Sequence, residues 1–178
     1  MNIFYIHIDP KKAAEYTVDS HCVKMILESC QLLSTAHRLL DGVLYTGKTP
    51  TGRNVKRWRL DNDKDATLYS ATHINHPSAV WCRGSDSAYL WLHKHLEGLL
   101  EEYTFRYGKI HKSTPVFEAL TNLPKNIKKL SFEPPPPAMD QKYIISNDSL
   151  VNYRNYYKYG KKHLHKWTKR NPPDWILE

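Results

Sequence analysis

The chain is poor in the patterns that usually announce a chemistry. Its three cysteines, Cys22, Cys30 and Cys82, form no CxxC pair and leave an odd number, so small buried thiols of a reducing compartment fit better than a disulfide framework or a zinc knuckle. Only 7 glycines are present, and none falls in a P-loop or dinucleotide-binding pattern, which argues against an ordinary kinase or NAD enzyme. GxSxG and HExxH are absent as well. Ten histidines invite a metal, yet His73-x-x-His76, His93-x-His95 and His163-x-His165 are completed by no Cys/His quartet or carboxylate-rich triad, so neither a metal nor a cofactor is expected. No apolar run approaches a membrane span, and residues 2–8 are too short for a signal h-region. A soluble cytoplasmic protein without a membrane partner is expected. Acid is the remaining deficit: 18 Asp and Glu face 26 Lys and Arg, a net charge of +8 that suits a polyanion such as DNA.

What is present reads as one mainly α domain spanning residues 1–178, a compact helical bundle with a short N-terminal strand and a small β-hairpin insert at 43–70. Thr17 to Leu40 repeats apolar residues every three or four positions (Val18, Cys22, Met25, Ile26, Leu32, Leu33, Ala36, Leu40), predicting a long buried helix. NIFYIHI, residues 2–8, reads as a strand or an extended arm against it. A short helix follows Pro10, and another begins at Pro77 with Asn75 or His76 as its cap. A long one runs from Ser85 or Asp86 to Tyr107. Short helical turns are expected at 116–120, and a last helix, capped by Ser146 or Asn147, over 148–167. The run Pro134–Pro137 must be extended and straps the surface.

The hairpin insert is expected to pair VLYT (43–46) with TLYS (67–70). Between them Lys48, Arg53, Lys56, Arg57 and Arg59 place five positive charges among twelve residues, with Trp58 in their midst. Such a segment is either a solvated loop or a grip on phosphates that offers a ring to a base. The same nucleic-acid role is assigned to Arg106 and to the Tyr/Arg/Lys interleaving of Tyr153, Arg154, Tyr157, Lys158, Lys161 and Lys162.

A polar row, His21, Lys24, Glu28, Gln31 and Thr35, runs along one edge of the long helix. It is a half-wet helix edge or the floor of a site. His73, Asn75, His76 and Arg83 surround the helix start at Pro77 and are either caps or a second half of that site. Brought together, the two groups would supply a general acid or base (His21, Glu28), cations for a leaving phosphate (Lys24, Arg83) and an amide donor (Asn75).

These segments carry a resemblance. NIFYxxxDP, DxHxVKMILExxQLLSTAHRxLDG, THINHPSAVWxR, EYTxRYGKxH, PPPxAM and YRxYY…W…PPxW, together spanning nearly the whole chain, resemble a small family encoded mostly by tailed phages. More loosely, the chain is similar to the all-helical amino acid:DNA transferases of phages, the α-glutamyl/putrescinyl-thymine pyrophosphorylases, which resemble DNA glycosylases. The resemblance implies group transfer onto a pyrimidine base in DNA with loss of a phosphorylated leaving group (thymidine hypermodification), a small amine or amino acid as co-substrate, and the host cytoplasm as location. Its site would comprise His21, Lys24, His73, Asn75, His76 and Arg83. The alternatives are glycosylase-like base excision and a non-catalytic protein that binds nucleic acid or captures host nucleotides or a host protein in counter-defence.

Overall fold

The computed structural model describes residues 1–61 and 63–177 and is mainly helical. Its centre is the pairing of α2 (Asp19–Asp41) with α5 (Asp86–Tyr107). Met25, Ile26, Leu32, Leu33 and Ala36 of α2 meet Leu92, Leu96 and Leu99 of α5 in one core. Each fully buried Leu or Ile there contributes on the order of 1.5–3 kcal/mol. Helix α5 starts at Ser85, whose hydroxyl accepts the Ala88 N–H, and ends at Gly108. Helix α1 (Pro10–Glu15) starts at Asp9, which accepts the Lys12 N–H, and crosses α5 at Gly98. A Cβ on Gly98 would stand 2.9 Å from that of Ala14, so only glycine lets the two helices approach this closely.

Residues 2–8 form the extended arm and not the strand. Ile3, Phe4, Tyr5 and Ile6 are buried, but their backbone meets side chains in place of a neighbouring strand. Asn2 Oδ1 accepts the amides of Ile3 and Phe4, Arg154 donates to Ile6 O, and Trp91 donates to Ile8 O. With these groups satisfied, no ladder is needed.

The hairpin also departs from expectation. Strand β1 (Val43–Lys48) pairs antiparallel with β2 (Asn54–Arg59), from Val43 opposite Arg59 to Lys48 opposite Asn54. The basic segment is therefore the second strand itself, while Thr67 closes α3 (Lys64–Thr67) and residues 68–70 form no strand. Asn62, within the expected insert, lies outside the described residues. Arg38, in the last turns of α2, explains this anchoring. Its guanidinium donates to the carbonyls of Trp58, Asp65, Leu68 and Tyr69 and to the Asp65 carboxylate.

Helix α4 (Pro77–Cys82) is capped by His76, and α6 (Thr114–Ala119) starts two residues before the expected turn. The strap at 134–137 is tied down through carbonyls: Ser149 donates to Pro135 O and Tyr153 to Pro136 O. The last long helix is broken. Helix α7 (Ser149–Asn155) is capped by Asp148, one residue beyond the expected caps, and passes into one wide turn over Tyr156–Gly160 closed by Lys161 N–H to Tyr156 O. Gly160 is required there, because a Cβ would fall 2.5 Å from the Tyr156 ring. Trp175, in α8 (Asp174–Leu177), packs edge-on against Tyr16 and Tyr157.

Candidate functional site

The polar edge of α2 is continuous in space with the start of α4. Thr35 ties the two, its hydroxyl accepting the Thr72 N–H at 3.1 Å. Two turns away, Glu28 meets Lys24 at 3.3 Å and accepts the Asn2 amide at 3.1 Å; the Met1 amino group lies 3.8 Å from it. The same neighbourhood reaches His76. Desolvation first, then the positive Met1 amino group and His73, hold the His76 pKa below the ordinary histidine value, against an opposing pull from Glu28. The direct contact between the two sequence segments is Thr35 with Thr72, and Glu28 acts on His76 only through its charge.

His21 stands deeper on this edge. It is 5% exposed, stacks on Phe4 at 4.2 Å, and its Nδ1 lies 3.0 Å from the Tyr157 hydroxyl. That hydroxyl also accepts the Val18 amide, so the Tyr157 oxygen joins His21 to the start of α2. Burial, with Lys161, Lys24 and His163 adding to it, drives the His21 pKa down to about 3. His21 is therefore a neutral hydrogen-bonded ring whose Nδ1 is already engaged. Phe4 holds φ 57°, a left-handed conformation unusual for a bulky residue and one that the surrounding packing must enforce.

The other members are placed less closely. His73, at φ 48°, and Asn75 are exposed on the loop before α4. His76 Nδ1 accepts the Ser78 N–H and so serves as the cap. Arg83 sits at the opposite end of α4, with one guanidinium nitrogen buried and without a partner, and no ion pair or hydrogen bond joins it to Lys24 or Glu28 among the described residues. The concavities along α5 and α6, under the proline strap, at the ribbon base, beside Asn122 and around Arg170 are lined by none of His21, Lys24, Glu28, His73, Asn75, His76 or Arg83. Along the strip His21 and Thr35 are buried and Glu28 half-buried, while Lys24, His73 and Asn75 are exposed. No group of three or more His, Cys, Asp or Glu able to hold a metal occurs among the described residues.

The expected nucleic-acid contacts divide sharply. Arg106 is 2% exposed and donates to Glu102, Asp19 and the carbonyls of Glu15 and Thr17, so it cannot reach a phosphate. Tyr153 and Tyr157 are fully buried, holding the strap and the start of α2. Arg154 is spent on Ile6 O and lies 5.3 Å over the Trp175 ring. These four are structural. Lys158 lies over Tyr159 and Lys161 over the Tyr156 ring, both half-buried, and Lys162 is exposed.

The ribbon differs. Lys48, Arg53, Lys56 and Arg59 are exposed, Arg57 and Trp58 half-buried, and none of the five cations forms an ion pair among the described residues. Arg59 lies 4.9 Å over the Tyr45 ring. A polar recess of about 180 Å³ at the ribbon base is lined by Arg38, Tyr45, Arg57, Trp58, Asp65, Ser70 and Ala71. Asp65 is held below its ordinary pKa by the Leu60 amide first and then by Arg38. Arg38 and Tyr45 were not singled out from sequence. A signal existed for Arg38, which extends the polar row of α2 by three residues beyond Thr35.

No protein-family model, no curated protein and no solved structure matches this chain. No helix among the described residues is long and apolar enough to cross a membrane.

Proposed function

We propose that this protein binds DNA through the β1–β2 ribbon. One observation carries the reading: five cations on a two-stranded ribbon form no ion pair among the described residues, in a chain of net charge +8. Unpaired Lys and Arg on a solvent-facing element are what counterion release from a phosphate backbone requires. The test is a salt titration of DNA affinity. Neutralising Arg53, Lys56 and Arg57 together should flatten the slope of log K against log salt by about three units. An unchanged slope would remove the ribbon from the interface.

A second reading places base chemistry on the α2–α4 strip, as the phage-family resemblance implies. It is favoured by the Glu28–Lys24 ion pair on the helix edge, where the Glu28 charge also acts on His76. In this reading an amine co-substrate forms a bond to the carbon on the pyrimidine as the bond to a phosphorylated leaving group breaks. Glu28 takes the amine proton, and Lys24, 66% exposed, meets the leaving phosphate. Glu28 suits the base better than His21, whose Nδ1 is engaged by Tyr157. Mass spectrometry of nucleosides from DNA incubated with the protein and lysate metabolites should reveal a modified or excised pyrimidine, absent with Glu28→Gln. Unaltered nucleosides with the wild-type protein would leave DNA binding without catalysis.

A further inference from the structure

The ribbon register divides its charge between two faces. Side chains alternate along each strand, and residues directly opposite share a face. Tyr45 opposite Arg57 and Val43 opposite Arg59 form one face; Leu44 opposite Trp58, Thr46 opposite Lys56 and Lys48 opposite Asn54 form the other. Arg57 and Arg59 therefore point one way, Lys48 and Lys56 the other, and Arg53 stands at the turn. Both faces are open along β1, where Val43 is 73% exposed, Leu44 53% and Tyr45 41%, while Arg57 and Trp58 of β2 are half-buried at the ribbon base.

A single nucleic-acid strand lying on one face would meet about half of these cations. A groove with phosphates on both walls would meet both sets at once. Resting on the DNA-binding reading above, we infer that the ribbon enters the major groove of duplex DNA, with its two faces turned to the two phosphate walls. Dimensions favour this: the B-form major groove is roughly 12 Å wide and admits a two-stranded ribbon, whereas the minor groove is roughly 6 Å wide. The narrow, deep major groove of A-form RNA excludes it.

Fluorescence anisotropy of the full chain tests this with one sequence presented as duplex DNA, single-stranded DNA and duplex RNA. Duplex DNA should bind at least about tenfold more tightly than either, and methyl green, a major-groove ligand, should displace the protein while netropsin, a minor-groove ligand, should not. The double variants Lys48→Gln/Lys56→Gln and Arg57→Gln/Arg59→Gln should each lower the salt slope on duplex DNA by about two. Equal affinity for single strands or RNA, displacement by netropsin alone, or a slope altered by only one pair would overturn the groove assignment while leaving nucleic-acid binding intact. Failure to bind any of the three would overturn both. The competition arms use the wild-type protein, so they decide the matter even if a double variant misfolds.

Discussion

Arg106 and Arg53 carry the same guanidinium to opposite ends. Arg106 is enclosed by Glu102, Asp19 and two carbonyls, while Arg53 stands in water at a turn without a carboxylate. Arg106→Met should cost about 3 kcal/mol, because it removes the buried guanidinium shared by Asp19, Glu102 and two carbonyls and leaves Glu102 with Arg170 alone, yet leave the DNA affinity of the folded protein unchanged. Urea unfolding beside anisotropy checks both halves. Lys24→Met, at an exposed position, and Arg83→Met, which removes a nitrogen already buried without a partner, should each stay within about 1 kcal/mol of wild type. A large loss at either residue would mean that it belongs to an internal network. Histidine sets the response to acid. Burial lowers His21 to about 3 and His37 and His95 to about 4, so all three are neutral in the native state. Between those values and the unfolded value of 6.5 the unfolded chain binds more protons. Stability from these groups is complete above pH 6.5 and is lost as pH falls toward 4, at about 1.4 kcal/mol per unit for each group. Urea midpoints should drop steadily from pH 7 to pH 5; a flat profile would contradict their neutral burial. The thiols are quiet, since all three are buried and burial raises Cys22 and Cys30 to about 12.

At the scale of elements, Arg38 is the joint between the helical body and the ribbon. Lysine keeps the charge but not the planar fork that gathers four carbonyls. Arg38→Lys should destabilise the protein by about 2–3 kcal/mol and weaken DNA binding through a loosened ribbon base, readable as faster amide exchange over residues 54–59. Unchanged exchange and affinity would show that the ribbon holds its place without this anchor. The elements legible in the sequence were those whose signal is local. The periodicity of α2 and α5, Pro10 and Pro77 at helix starts, and Gly108 after Arg106-Tyr107 all state their roles within a few residues. The partner of β1 was not legible, because TLYS and NVKRWR are both plausible strands and the choice rests on Arg38, distant in sequence from either. The N-terminal arm has strand-like composition, but Asn2, Trp91 and Arg154 satisfy its backbone from elsewhere. The break after Asn155 depends on ring contacts between Tyr143 and Tyr156 that no local pattern encodes.

At the scale of the whole molecule, charge and chemistry separate. Among the described residues the ribbon cations form no ion pairs, whereas on the α2 edge Lys24 is paired with Glu28, which also accepts the Asn2 amide. The meeting of the helix edge with the His76 turn could be proposed from the polar spacing of α2. The distance of Arg83 from it could not, since a six-residue α4 places Arg83 at its far end. Composition marked the excess of positive charge; only the fold separates Arg106, buried, and Arg154, half-buried and tied to Ile6 O, from Lys48, Arg53 and Lys56, which are exposed. The most direct test of that separation is a titration of the ¹⁵N-labelled protein with a short DNA duplex, followed by amide chemical shifts. The largest and earliest shifts are expected in residues 43–59, with Tyr153, Tyr157 and Arg106 unmoved. Shifts confined to residues 149–170, with the ribbon unperturbed, would contradict the account.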